Sequence, residues 1–183
     1  MIESNTQGDC PRIDVSAYVH PTAVVIGNVT IGKNVFVGPC AVVRADEKGT
    51  SIMIGDNCNI QDRVIIHSLE ANSVLIEGNT SLSHGCVVHG PCRIGKGCFV
   101  GFGSVVFNCE IHQAVIIKHL VIAEGVCIPA GKMVESGNVI RDEKDVRELK
   151  LADEKMKDFA EKVVSSNLDL VEGYRKKQKG GNG

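Results

Sequence analysis

Residues 76–106 read IEGNTSLSHGCVVHGPCRIGKGCFVGFGSVV, and a single rhythm orders the string. An aliphatic residue returns at every sixth place: Ile76, Leu82, Val88, Ile94, Val100 and Val106. Upstream the same beat runs through Ile13, Val19, Val25, Ile31, Val37 and Val43, then Ile54, Ile60 and Ile66. Downstream Ile111, Ile117, Ala123 and Pro129 finish the series less cleanly. Glycine follows the aliphatic at Gly32, Gly38, Gly55, Gly95 and Gly101, where a tight corner calls for a residue free of Cβ restrictions. The fourth place after it holds small residues, at Ala23, Val29, Val35 and Ala41 and at Cys58, Cys86, Cys92, Cys98 and Cys127. Those cysteines are expected as small buried hydrophobes, not as ligands or disulfide partners. A period of six fits neither a helix at 3.6 nor an array of hairpins. It fits a parallel β-helix of hexapeptide repeats, in which each short strand stacks on its equivalent one coil away.

Composition agrees. The chain has 183 residues, 43% of them hydrophobic but only 4% aromatic, with 20 glycines and 8 cysteines. Its formal charge of −2 offers no basic field to nucleic acid or to an anionic membrane. No apolar run nears the ~18 residues of a membrane span, and the first residues lack the basic-then-apolar order of a secretory signal. The expectation is a soluble, cytoplasmic protein with reduced thiols. Charge divides the chain near Arg141: residues 1–140 carry 21 charged side chains and the last 43 carry another 21. All six histidines precede the division. Beyond it Asp142 can cap a helix, and Leu149, Met156, Phe159, Val163, Leu170, Val171 and Tyr174 recur at helical spacing. The expected division is a lead-in over residues 1–12, a β-helix over 13–140, a helical segment over 141–178 and a disordered tail over 179–183.

The hexad pattern resembles the left-handed parallel β-helix family, in which three hexads close one triangular coil of about 18 residues. The resemblance implies a mainly β fold with the C-terminal helix packed along it. Two spacings break the beat, eleven residues from Val43 to Ile54 and ten from Ile66 to Ile76, and the surpluses are expected as loops at two corners. Counting in threes of hexads stacks His67, His89 and Arg44 on one ladder, each one place after its aliphatic. Neighbouring coils place His67 and His89 roughly 4.8 Å apart, right for two imidazoles sharing an ion. His84 and Asp62 stack on the neighbouring face, so His84 cannot close the same site within its own chain. A homotrimer would solve this, with His84 of one subunit completing the pair of the next. His20, His112 and His119 have no such partners and are expected at the surface.

At these residues the chain resembles the gamma-class carbonic anhydrases. That family shows Arg-x-Asp, then Asn-x-Gln-Asp, then a His, then His-x4-His. Here these are Arg44-Ala45-Asp46-Glu47, Asn59-Ile60-Gln61-Asp62, His67, and His84-Gly85-Cys86-Val87-Val88-His89. The resemblance implies Zn²⁺ (or Co²⁺ or Fe²⁺) on His67, His84 and His89 at the interfaces of a trimer. It implies reversible hydration of CO₂ to bicarbonate and a proton by a metal-bound hydroxide, with Gln61 hydrogen-bonded to that hydroxide. Asn167 on the C-terminal helix would help hold CO₂ or bicarbonate. Glu47 and Glu70 occupy the places of the proton exit. Arg44 and Asp46 would form an ion pair across the subunit interface, with Asp62 supporting that network and Asn59 standing behind the ligands.

Two other readings compete. Hexapeptide acyltransferases share the coil but need neither three histidines at coil phase nor the Asn-x-Gln-Asp run. A non-catalytic assembly protein of the same family would keep the metal without the rate, and Glu70 weighs against it.

Overall fold

The computed structural model describes residues 1–180 and shows a mainly β solenoid of about seven turns. Strands of two to four residues cannot stand alone; here each is held by its equivalents one coil below and above. Three sheets result. The first stacks eight strands, from Ile2–Glu3 through Val42–Ala45, Ile65–His67, Val87–His89 and Val105–Phe107 to Val139–Ile140. The second stacks seven, from Arg12–Ile13 through Ser51–Ile54 and Glu110–Ile111 to Cys127–Ile128. The third begins at Tyr18–Val19 and ends on Lys150–Leu151, an antiparallel addition to the otherwise parallel stack. Hydrogen bonds run from coil to coil, as from Gly38 N to Ile60 O and from Gln61 N to Leu82 O. The hexad aliphatics from Val25 to Ala123 all point inward and are buried.

The structure adds to the hexad reading at three places. The glycines after the aliphatics are not the left-handed residues of the corner. Positive φ falls two places later, at Asn34, Asn57 and Asn79 among others, where asparagine tolerates it. Asn34, Asn57 and Asn79 also form a side-chain ladder, with Nδ2 to Oδ1 distances of 3.2 and 3.1 Å. Glycine is needed instead because the next coil's backbone lies too close: a Cβ on Gly95 would stand 2.6 Å from Gln113 N. Gly95→Ala is therefore expected to cost about 1–3 kcal/mol, read as a lower urea midpoint at unchanged slope.

Second, the beat shortens to five residues at Val106–Ile111 and at Ala123–Ile128, both times on the way into the second sheet. Ile128 takes the inward position in place of Pro129, which is exposed, and Val126 fills the small slot in place of Cys127, which is exposed as well. The other four slot cysteines are buried, and burial pushes each thiol up to about 12. Third, the two surplus loops share one edge of the coil. Both lie between the first and second sheets on successive coils, and they stack: Ala71 N donates to Lys48 O at 2.9 Å.

Past the coil, α1 (Glu143–Glu148) is capped by Asp142, whose side chain accepts from Asp145 N. Helix α2 (Glu154–Gly180) then runs back along the third sheet. The outward residues of that sheet explain why. Phe99 and Ile116 pack with Ala152 and Ala160, and Tyr18 and Phe36 pack with Val171. Phe99 is only 2% exposed although it faces away from the coil interior. Tyr174 stacks on Tyr18 with ring centroids 4.6 Å apart. Of the expected tail, residues 179 and 180 belong to α2, and residues 181–183 lie outside the described residues. No helix among the described residues is long and apolar enough to cross a membrane.

Candidate metal centre

Two histidines meet on the outer surface of the first sheet. Ile66 and Val88 point inward, so His67 and His89, one place later, point outward, and the strands pair them in register. His67 Nδ1 lies 3.1 Å from His89 Nε2. The other nitrogen of His89, Nδ1, lies 3.1 Å from Gly90 O and must carry the hydrogen, which leaves Nε2 as a lone pair facing His67. Two imidazole nitrogens on one tetrahedral Zn²⁺ at about 2.0–2.1 Å stand about 3.3 Å apart, so the pair fits two ligand positions with little adjustment. His67 is kept toward its neutral form, the form a metal takes. Burial depresses its pKa most, Arg44 and His89 add to this, and Glu47 and Asp46 oppose it.

Acidic loop residues surround the pair. His67 Nε2 is buried without a hydrogen-bond partner, 3.5 Å from both Asp46 Oδ1 and Glu47 Oε1. Asp46 Oδ1 is likewise unpartnered, while its Oδ2 receives Arg44 Nη1 at 2.9 Å. Within the chain Arg44 and Asp46 stand two places apart and face the same side, which brings them into this contact. Glu47 joins the stacked loops: its Oε2 accepts from Glu70 N at 2.7 Å. Glu70 enters through its backbone, and its side chain is exposed.

A second group lies at the end of the third sheet. Gln61 Nε2 donates to Asn59 Oδ1 and to Asn167 Oδ1, both at 2.7 Å. Asn167 is itself oriented, since its Nδ2 donates to Val163 O at 2.8 Å. That backbone carbonyl therefore sets the whole row. It makes Asn167 Oδ1 the acceptor and commits both amide hydrogens of Gln61, so the free function of Gln61 is its carbonyl oxygen. Asn167 touches Gln61 and belongs to this row; Asn59 is fully buried with its Nδ2 unpartnered.

His84 stands at the corner beyond, exposed, its Nδ1 3.4 Å from Asp62 Oδ2 and its ring 5.4 Å from Phe102. It does not join His67 and His89 within the chain. Among the described residues, one trio of metal-type side chains has donor atoms all within 4.8 Å of one another: Glu110, His112 and Cys127. The hexad reading missed this trio, leaving His112 at the surface and Cys127 in the core; the five-residue steps were its available signal.

Comparisons with known proteins agree with the coil. The family model described as bacterial transferase hexapeptide (six repeats) matches residues 16–45 and 73–108. A hexapeptide transferase family protein from Anaplasma phagocytophilum superposes with a TM-score of 0.67 at 26% identity, covering 95% of this chain and 98% of that one. The carboxysome assembly protein CcmM of Nostoc is 39% identical over 173 residues, 89% of this chain, but this chain spans only 31% of that protein's length. A carbonic anhydrase from Methanosarcina thermophila is 36% identical over 195 residues, covering 93% of this chain and 77% of the enzyme. With its coil, its motifs and these relatives in agreement, the chain belongs to the gamma-class carbonic anhydrase family of left-handed hexapeptide-repeat β-helices.

Proposed function

We propose that the chain is a carbonic anhydrase, catalysing CO₂ + H₂O ⇌ HCO₃⁻ + H⁺ at metal sites between the subunits of a homotrimer. The observation that carries this reading is the in-register meeting of His67 and His89 at 3.1 Å, with both available nitrogens turned toward one point. His67 and His89 of one chain and the His84 of a neighbouring chain would hold a divalent cation, Zn²⁺ or in its place Co²⁺ or Fe²⁺. When bound, such a cation supplies Lewis acidity, which brings the pKa of a water into the neutral range. The protein's own part is orientation and proton removal. Gln61 presents a carbonyl oxygen that cannot rotate away, because Asn59 and Asn167 hold its amide hydrogens; it accepts an O–H and fixes the direction of the lone pair that meets CO₂. Glu47, 3.5 Å from His67, would take up the proton, and Glu70, whose backbone N–H holds Glu47 Oε2 and whose own carboxylate is exposed, would pass it to solvent.

Stopped-flow CO₂ hydration on metal-loaded protein tests the reading. Glu70→Ala is expected to keep its metal but lose on the order of 10²-fold in rate in dilute buffer, and to recover when a small-molecule base is added. No hydration by fully metallated wild type would leave the assembly role, which the 39% identity to CcmM favours. The transferase reading draws only on the shared coil.

A further inference from the structure

We propose a second cation site, for a borderline divalent ion of the zinc type, on Glu110, His112 and Cys127. It lies on the outer surface of the second sheet, whereas the proposed intersubunit site uses the first sheet and the His84 corner. Two geometric facts build it. Glu110 and Cys127 are in-register neighbours on adjacent coils, and His112, two places beyond Glu110, faces the same side. Their ligand atoms lie within 4.8 Å of one another. Cys127 is there because of the five-residue step into Ile128: a sixth residue would have turned it into the core, where Cys58, Cys86, Cys92 and Cys98 are.

The side chains are open to an ion. The cation nearest Glu110 on the ladder is Arg93, its in-register neighbour, and Arg93 is committed to Glu77 Oε1 by two hydrogen bonds of 2.6 and 3.2 Å. Glu110 meets His112 Nε2 only at 3.8 Å, beyond a hydrogen bond. Cys127 is exposed and free, and borders a hollow of about 640 Å³ that also holds Asp142, Glu143 and Arg147, the last paired with Glu143. Thiolate, imidazole and carboxylate together are a zinc-type donor set; three such ligands leave a position for water or an exchangeable group. Binding displaces the thiol proton to solvent, leaving the ion's charge set against thiolate and carboxylate.

Co²⁺ as a probe separates this site from the histidine site, because only a thiolate ligand gives a sulfur-to-cobalt charge-transfer band in the near ultraviolet. Full-length protein titrated with Co²⁺ under reducing, anaerobic conditions is expected to develop that band. Cys127→Ser should abolish it, and His112→Ala should weaken the cobalt affinity at least tenfold, both with CO₂ hydration unchanged. All three side chains are exposed, so neither substitution disturbs the core. A titration without the band, or a band that survives Cys127→Ser through Cys10 or Cys40, overturns the proposal.

Discussion

His89→Ala is expected to empty the intersubunit site and to lower CO₂ hydration by more than about 100-fold. Loss of a group that merely supports a ligand costs 10–100-fold in metal affinity or activity, and His89 would be a ligand itself. Its removal leaves His67 facing a methyl group where it now faces a nitrogen at 3.1 Å. The fold should survive, because His89 points out of the coil and Val88 beside it carries the packing. Metal content by plasma emission and rate by stopped flow should fall together, unlike Glu70→Ala, where the metal stays. A variant that keeps its metal and turns over within tenfold of wild type would move the site elsewhere.

Ile54→Ala is expected to remove about 2–5 kcal/mol of stability, as a cavity left by a large aliphatic does. For a chain of this size that is a fall of about 4–20 °C in Tm. Ile54 is 1% exposed between coils, whereas Met53, one residue earlier in the same strand, is 53% exposed. Met53→Ala should accordingly stay within about 0.5 kcal/mol of wild type. The contrast between adjacent residues tests the inward assignment of the hexads directly. In a solenoid each coil touches only its neighbours, so the loss should open the coils around Ile54 first. Hydrogen exchange would show the amides near Ile31 and Ile76, its ladder partners, losing protection before those near Ile128. Equal thermal shifts for the two variants would contradict the assignment.

The legible parts of the molecule are those governed by period. Six-residue spacing, broken at the two loops, picks out residues from Val25 to Val106 that all turn inward, and the same counting stacks Arg44, His67 and His89 on one ladder. The count fails where the period changes without announcing itself. Pro129 and Ile128 are adjacent, and nothing local tells which turns inward; the answer comes from Ile111 one coil below, which Ile128 must match. The corner glycines are legible as places with no room for Cβ, but the backbone that fills the room belongs to the neighbouring coil. Nothing near Phe99 and Ile116 in the chain marks them as covered, since the helix that covers them begins 55 and 38 residues later, at Glu154. The Asn59–Gln61–Asn167 row is hidden for the same reason: Gln61 and Asn167 lie 106 residues apart in the chain and are joined only when α2 folds back along the third sheet.

A site made by two chains should be recoverable in mixed trimers. His84→Ala chains keep the pair but cannot complete a neighbour's, and His89→Ala chains keep His84 but lack the pair, so each alone should be unmetallated at the interface and inactive. Co-refolded together, they form interfaces in which His67 and His89 of one variant face the His84 of the other. Mixing is expected to restore both interface metal and CO₂ hydration to a sizeable fraction of wild type. Mixtures that form trimers yet stay as inactive and metal-poor as the separate variants would contradict it.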